Sequence, residues 1–236
     1  MAVQNTSHAV MAQRIEAKDS LDNFPTPPWA TRALLEFVIE QGNKPFLRDM
    51  TCLEPACGAG HMAVTLSEYF GLVKAADIYP YGFGEVGDFV TDFYDEGSWD
   101  WVITNPPFRL AEEFILKGLQ VARRGVAMLV RTVFIESVGR HERLFFPYQP
   151  TKFAQFTERV PMVKGRLDKK ASTATGYAWI IWEKNSASSG SKLIWIPPSR
   201  KMLERSEDYR EIISSESKEY LGRLENLGSI QKKLFE

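Results

Sequence analysis

The chain has 236 residues, 44% of them hydrophobic. This length is enough for one domain with a substantial hydrophobic core and too short for two domains of ordinary size, so we expect one domain. The net charge of −1 hides an asymmetry, because residues 109–170 carry 13 Lys and Arg against 6 Asp and Glu, a balance that can mark a surface facing a polyanion. No apolar run reaches the roughly 20 residues of a membrane span and residues 1–19 lack the apolar core of a secretory signal, so we expect a soluble, cytoplasmic protein without membrane contact.

Short hydrophobic runs alternate along the chain with amphipathic stretches, and Gly, Pro and Asp separate them. This rhythm predicts an α/β fold, a mostly parallel sheet with helices on both faces. The predicted strands are, in chain order, 50–55, 73–78, 100–104, 125–134, 153–159, 177–182 and 193–196. The predicted helices are 61–70, 110–122 and 140–146, with a Ser-rich linker at 185–191 and a charged helical arm at 203–235.

A glycine turn, Gly58-Ala59-Gly60, leads from the first predicted strand into a helix, where backbone can approach a ligand and N–H groups are free. The third glycine of the nicotinamide fingerprint is absent, which disfavours a dinucleotide. Asp77 ends the second strand, where a carboxylate can accept hydrogen bonds from both ribose hydroxyls, and Ile78 can pack on an adenine ring. Asp88 offers an acceptor to an adenine amine. The pattern favours a nucleoside-containing cofactor.

The third strand runs directly into Asn105-Pro106-Pro107-Phe108. An arylamine is a poor nucleophile because its lone pair is delocalised into the ring. The Asn105 side-chain oxygen and the Pro106 carbonyl can each accept a hydrogen bond from such an amine and draw it towards tetrahedral geometry as a methyl group approaches. The two prolines stiffen the turn, and Phe108 can stack on a base that is flipped out or single-stranded. The segment predicts methylation of a base amine.

In the order of these motifs, residues 24–184 resemble the amino-methylating class I S-adenosylmethionine-dependent methyltransferases, and the overall layout looks similar to small adenine DNA methyltransferases of phages and prophages. The resemblance implies a Rossmann-like three-layer sandwich with a mostly parallel seven-stranded sheet and one antiparallel strand. It implies an N-terminal arm at 1–23, the methyltransferase domain at 24–198 and a C-terminal helical extension at 199–236. It also implies S-adenosyl-L-methionine as cofactor and N6 of adenine in DNA as the methyl acceptor.

The resemblance assigns site residues as well. Those that match the N-terminal motif closing over the methionine part of the cofactor are Phe24, Thr26 and Pro27. The other positions that match the family's cofactor site are Glu54, Ala56, Cys57, Gly58, Gly60, Asp77, Ile78, Asp88, Phe89 and Asn105. The catalytic positions are Asn105, Pro106, Pro107 and Phe108.

The chain shows no counterpart of the separate target-recognition domain of larger restriction-type enzymes. The loop 161–176 is the natural substitute, because its cations can contact the phosphates of DNA or RNA. Those cations are Lys164, Arg166, Lys169 and Lys170. Weaker candidates are Arg131, Arg140 and Arg143, since arginine at a strand end or on a helix surface is usually solvated or ion-paired. The three histidines and two cysteines lack metal-ligand spacing, so we expect no metal, and nothing indicates an oligomer.

Other functions remain open at this point. The same catalytic motif suits an adenine or guanine amine in RNA. It also suits a glutamine side-chain amide in a protein, although that family more often has Tyr at the position of Phe108. A further hypothesis is a catalytically silent nucleic-acid-binding subunit with the same fold, and the intact Asn105, Gly58 and Gly60 argue against it.

Overall fold

The computed structural model describes residues 22–39, 44–184, 186, 190–210 and 212. Within these residues the fold is built on a sheet of eight strands. The strands are β1 Thr51–Glu54, β2 Leu72–Asp77, β3 Glu85–Val86, β4 Trp99–Thr104, β5 Ala122–Arg131, β6 Lys152–Phe156, β7 Tyr177–Glu183 and β8 Lys192–Ile196.

The strands lie in the order β3-β2-β1-β4-β5-β7-β6-β8, and β7 runs antiparallel to both of its neighbours, β5 and β6. All other neighbours pair in parallel. The predicted mostly parallel sheet with one antiparallel strand is therefore confirmed. The strand count is eight rather than seven, because Glu85–Val86 pairs with the end of β2 and is too short and too exposed to stand out as a hydrophobic run.

Short helical segments cover the sheet. The α-helices are α1 Pro28–Leu34, α2 His61–Leu66, α3 Ala111–Val121, α4 Val138–Arg140 and α5 Arg200–Leu203. Helices α1 and α4 continue as π-helical turns at Leu35–Ile39 and His141–Phe145. The 3-10 turns are Lys44–Asp49, Thr132–Ile135 and Ser206–Tyr209.

Two hydrophobic clusters occupy the two faces of the sheet. Trp179 and Ile180 are neighbours on β7, fully buried, and belong to different clusters because successive strand side chains point to opposite faces. Helices α1 and α2 pack on the face of Trp179, while α3 packs on the face of Ile180. The molecule is thus the three-layer sandwich that the sequence predicts.

Helix α1 was not predicted from the sequence. All seven of its residues are buried, so its polar face is too small to produce an amphipathic pattern. Pro28 at its first turn starts the helix without a lost hydrogen bond, and Trp179 Nε1 donates to the Ala30 carbonyl at 3.1 Å. This bond fixes α1, and the segment before it, against the centre of the sheet.

Several element ends differ from the prediction. Helix α2 ends at Leu66 rather than at 70, because Glu68 and Tyr69 donate to carbonyls three residues back and tighten the chain into turns. Strand β5 begins and ends three residues early, and the apolar residues after Arg131 form a 3-10 turn. The predicted linker residues 185 and 187–189, the arm residues 1–21 and the extension beyond 212 lie outside the described residues.

The described part of the predicted extension packs on the domain. The Arg32 guanidinium, on α1, forms a two-bond ion pair with Asp208 and a second one with Glu68, at 2.7–3.0 Å. Burial alone would lower the pKa of Arg32, but the hydrogen bonds to Glu68 and Asp208 raise it. None of the helices in the described ranges has the length and apolar character that crossing a membrane requires.

Candidate functional site

The carboxyl ends of β1, β2 and β4 open into one cleft with an empty volume of about 810 Å³ that includes open solvent. The predicted site residues that line the cleft are Phe24, Thr26, Glu54, Ala56, Cys57, Gly58, Asp77, Ile78, Asp88, Phe89, Asn105 and Pro107. The structure therefore brings together residues that are spread over 84 positions, from Phe24 to Pro107, counted inclusively.

The glycine turn is shaped by two left-handed residues. Gly58 has φ +51° and donates its N–H to Asp77 Oδ2 at 2.8 Å, which links the ends of β1 and β2. Gly60 has φ +89° and caps α2, and a Cβ atom there would lie 2.4 Å from the Phe83 ring. Gly60 does not line the cleft, so its role in the structure is to let the chain turn beneath the Phe83 side chain.

Two buried carboxyls stand on the cleft wall. Asp77 accepts hydrogen bonds from the Gly58 and Tyr79 N–H groups, and burial nevertheless raises its pKa. Glu54 is only 2% exposed, and burial together with the charge of Asp77 raises its pKa well above the usual value. Among the described residues, its Oε2 has no hydrogen-bond donor. On this side of the cleft, Glu54 Oε2 is thus a buried oxygen without a partner among the described residues, beside an Asp77 that accepts two backbone hydrogen bonds.

The remaining predicted cofactor residues differ in exposure. Ile78 is 58% exposed at the end of β2, so its side chain is free to pack on a ligand. Asp88 holds a local turn by accepting from the Val90 N–H at 3.0 Å. Phe89 is 2% exposed and packs on Tyr94 and Phe114, so most of its ring belongs to the core beneath the cleft. Pro27 precedes α1 and does not line the cleft.

Asn105 stands at the carboxyl end of β4. Its Nδ2 donates to the Phe24 carbonyl at 2.9 Å, and because a carbonyl can only accept, this bond fixes which way the amide points. The opposite atom, Oδ1, is buried and has no donor within the described part of the chain. No hydrogen bond formed by the described residues uses the Pro106 carbonyl either. The two acceptors that the predicted chemistry requires are both available.

The segment Asp22-Asn23-Phe24 crosses over the turn 105–108, the predicted catalytic turn, and the sequence indicated only Phe24 of the three. Asp22 Oδ2 accepts from the Phe108 N–H at 3.0 Å, and the Phe24 ring lies 5.3 Å from the Phe108 ring between centroids. The Asn23 carbonyl accepts from the Gly165 N–H at 2.8 Å. The signal available in the sequence was a short acidic and amide pair directly before the Phe-Pro-Thr-Pro-Pro motif. Other lining residues that the sequence reasoning did not assign are Pro25, Pro55, Ala59, His61, Met62, Tyr81, Gly87, Leu110 and Phe114.

The basic loop 161–176 begins and ends beside the catalytic turn. Met162 Sδ accepts a contact from Asn105 Nδ2 at 3.7 Å, and the Gly176 carbonyl accepts from the Thr132 N–H at the end of β5 at 3.0 Å. Its four predicted cations, Lys164, Arg166, Lys169 and Lys170, are exposed. Arg166 contacts Asp168 at 3.3 Å, and Lys169 Nζ lies 5.8 Å from the Tyr209 ring centre. The loop therefore brings exposed cations to the end of the sheet that carries Asn105.

The three weaker arginine candidates have different surroundings. Arg143 is held by two hydrogen bonds to Glu112, and Arg140 stacks on Phe134 at 4.4 Å while donating to its carbonyl. Arg131 lies at the end of β5 with its guanidinium carbon 4.3 Å from the centre of the Phe108 ring. Of these three described arginines, only Arg131 therefore touches the Asn105-Pro106-Pro107-Phe108 segment.

Cys52 and Cys57 are both buried and free, and burial raises the pKa of each thiol. Within the described residues, no group of three or more His, Cys, Asp and Glu side chains is arranged to hold a metal ion. The cleft therefore combines a carboxylate wall, an amide acceptor and aromatic rings, with no metal-ligand cluster in the described ranges.

No protein-family model matches this chain, and no curated protein matches it in sequence. Solved structures do share its fold. A candidate RNA methyltransferase from Pyrococcus horikoshii superposes with a TM-score of 0.51 at 16% identity, over 72% of this chain and 90% of that one. The modification subunit of a candidate type I restriction enzyme from Vibrio vulnificus gives 0.52 at 15% identity, over 89% and 54%. The M protein of the EcoKI type I restriction enzyme gives 0.51 at 12% identity, over 72% and 46%. The chain thus spans about half the length of these two modification proteins, and its fold is the Rossmann-like fold of methyltransferases.

Proposed function

We propose that the chain transfers a methyl group from S-adenosyl-L-methionine to an exocyclic amine of a nucleic-acid base, with N6 of adenine in DNA as the acceptor. One observation carries the proposal. Asn105 Oδ1 is a buried acceptor without a donor among the described residues, and Phe24 holds it in place in the cleft that Asp77 also lines. A buried polar atom without a partner costs stability unless a ligand supplies one.

The residues present fit the cofactor. S-adenosylmethionine supplies an electrophilic methyl group when it is bound. Asp77 would accept from the ribose hydroxyls, and Asp88 and Ile78 would meet the adenine ring. Glu54 Oε2 and Thr26 Oγ1 are buried atoms on the cleft wall that lack partners among the described residues, which suits the charged amino-acid end of the molecule. Because Gly58 has no side chain, the backbone at this turn can lie close to the bound cofactor.

The chemistry of this chain's residues follows from the two free acceptors. The target amine would donate one N–H to Asn105 Oδ1 and the other to the Pro106 carbonyl. With both protons held, the nitrogen lone pair turns out of conjugation with the ring, so the amine becomes nucleophilic without prior deprotonation. The new N–C bond would form as the methyl–sulfur bond breaks to leave a neutral thioether, and the cationic nitrogen would then release one of its two protons to solvent. The prolines stiffen the turn because their rings fix φ. They also lack an N–H group that could compete for the two acceptors.

The choice of a nucleic-acid substrate rests on the exposed cations of the loop 161–176. The first residues of this loop contact Asn105, and its last residue bonds to Thr132 at the end of β5. Two of the structural neighbours are modification proteins of type I restriction enzymes, which agrees with DNA, and a third is a candidate RNA methyltransferase. DNA is favoured because the layout of motifs resembles small adenine DNA methyltransferases.

The test is transfer of a labelled methyl group from S-adenosylmethionine to unmethylated duplex DNA, single-stranded DNA, RNA and cell protein in parallel. Nucleoside analysis of the product then identifies the acceptor. We expect N6-methyladenine from DNA. Label in RNA or in glutamine would leave the proposed catalytic site standing and would show that the acceptor is not DNA. Cofactor binding without label in any polymer would contradict the proposal and favour a silent subunit.

A further inference from the structure

Arg131 is the last residue of β5, the strand next to β4, whose end carries the catalytic turn. The last paired residues of the two strands are Thr104 and Met128, so Arg131 lies three residues further along and level with the turn that follows Asn105. Its side chain is exposed, and its guanidinium lies over the face of the Phe108 ring at 4.3 Å. The aromatic ring holds the charge beside the catalytic turn.

The guanidinium of Arg131 forms no hydrogen bond or ion pair with any of the described residues. Arg123 lies at the opposite end of β5, where it donates two hydrogen bonds to the buried Asp100 at 2.7 and 3.1 Å. Arg131 therefore has all five N–H donors available, although its ring contact restricts where the side chain can point.

The surroundings of Arg131 select an anion as the partner for these donors. Thr132, the next residue, donates to the carbonyl of Gly176, which is the last residue of the basic loop. The exposed Arg166 belongs to that same loop, and Arg109 follows Phe108 in the chain and is exposed as well. Three exposed arginines thus belong to the catalytic turn's own chain continuation, to the neighbouring strand end and to the adjoining basic loop. The flipped base of a nucleic acid would bring backbone phosphates to this region.

We propose that Arg131 binds a backbone phosphate next to the target nucleotide, with Phe108 orienting its guanidinium. The inference rests on the proposed function and adds to it a specific substrate-binding residue. A phosphate contact positions the polymer without reading its sequence, so Arg131 contributes equally to binding of unrelated sequences. Guanidinium suits this role because it forms two parallel hydrogen bonds to phosphate oxygens.

The experiment measures binding of the full chain to a duplex oligonucleotide across a range of salt concentrations, for the wild type and for Arg131→Gln, Arg131→Lys and Arg123→Gln. Binding of a protein to duplex DNA weakens with salt by about 0.9 in log–log slope for each phosphate neutralised. We expect Arg131→Gln to reduce the magnitude of the slope by about 1 and to weaken binding to two unrelated duplexes alike. Arg131→Lys keeps the slope, since a lysine still neutralises one phosphate.

Arg123→Gln removes the same charge from the opposite end of β5 and is expected to leave the slope unchanged. Unchanged cofactor affinity in each variant shows that the fold and the cleft are intact. An unchanged slope in Arg131→Gln, with turnover reduced in both Arg131 variants, would overturn the proposal and leave Arg131 as a support for Phe108. If the slope is unchanged but the wild type methylates DNA, the proposed function stands and only the role of Arg131 is rejected. A wild type that neither binds nor methylates nucleic acid would overturn both the proposed function and the role of Arg131.

Discussion

Glu54 and Asp100 are both carboxyls that are 2–3% exposed, yet their environments are opposite. Asp100 accepts from the Thr51 N–H, from Arg123 and from Arg124, and although burial alone would raise its pKa, these partners hold it below the usual value. Glu54 has a raised pKa because burial and the charge of Asp77 disfavour its ionised form. Asp100 therefore stabilises the fold, whereas Glu54 is proposed to bind the cofactor.

Replacing each carboxyl by its amide separates these roles. We expect Asp100→Asn to lower the free energy of unfolding by about 1–3 kcal/mol, because charge-assisted hydrogen bonds are weakened. Glu54→Gln should leave that free energy unchanged or raise it, since an unfavourable buried charge is removed, while cofactor affinity falls. Urea unfolding and titration with S-adenosylmethionine measure the two effects. Equal destabilisation by both substitutions would contradict this account.

The same two groups predict how stability depends on pH. A carboxyl with a lowered folded-state pKa contributes stability above its unfolded value of about 3.9, and this contribution is lost as the pH falls through the folded-state pKa. Asp100→Asn should therefore flatten the acid side of the stability profile. The raised pKa of Glu54 acts in the other direction, because its penalty is relieved as the pH falls. Glu54→Gln should remove that relief.

Asn105→Ala tests the catalytic acceptor. The substitution removes a transition-state hydrogen-bond acceptor worth on the order of 3 kcal/mol, so we expect turnover to fall by about a hundredfold or more. Cofactor affinity should change little. Labelled-methyl transfer and cofactor titration are the measurements. Asn105→Asp is the control, because it keeps an acceptor while losing the donor to the Phe24 carbonyl. Full activity in Asn105→Ala would remove the basis for the proposed chemistry.

At the scale of elements, the turn between β1 and α2 depends on left-handed backbone and on space. Gly60 and Gly82 make a matched pair with φ +89° and +88°, but a Cβ atom at Gly60 would lie 2.4 Å from Phe83, whereas one at Gly82 meets nothing within 4 Å. Substitution by alanine costs about 1–2 kcal/mol of backbone strain at either position. Only the change at Gly60 also displaces Phe83, which lies next to the thiol of Cys57 on the cleft wall.

We therefore expect Gly60→Ala to lower Tm more than Gly82→Ala does, and to weaken cofactor binding, which Gly82→Ala should leave intact. Differential scanning calorimetry and cofactor titration make the comparison. Identical Tm shifts would mean that the Phe83 ring moves aside at no cost and that backbone strain alone determines the effect.

At the scale of the whole molecule, the C-terminal segment is joined to α1 and α2 by one buried cation. The side chains of Arg32 and Asp208 are 4% and 3% exposed, and removing one partner of a buried pair leaves an uncompensated charge. We expect Asp208→Ala to lower the free energy of unfolding by about 3 kcal/mol, less whatever the remaining pair with Glu68 recovers. Glu207→Ala, at an exposed neighbouring position, should have little effect in the same urea titration. A change no larger than that of Glu207→Ala would show that Glu68 alone suffices for Arg32.

The amino-acid sequence by itself determined the fold class and the outline of the candidate site. The glycine turn, the acid at the end of β2 and the Asn105-Pro106-Pro107-Phe108 segment are local signals. Each lies at the carboxyl end of a strand of the same parallel sheet, so their meeting at one edge follows from topology.

Only the tertiary structure decided which polar atoms have hydrogen-bond partners. Asn105 bonds to Phe24 and Phe108 to Asp22 across sequence separations of 81 and 86 residues, and Arg32 reaches Asp208 across 176. Such contacts depend on side-chain packing between distant segments, for which residue type and periodicity carry no signal. For the same reason the sequence ranked Arg131, Arg140 and Arg143 together, and the structure separated them by what each guanidinium touches.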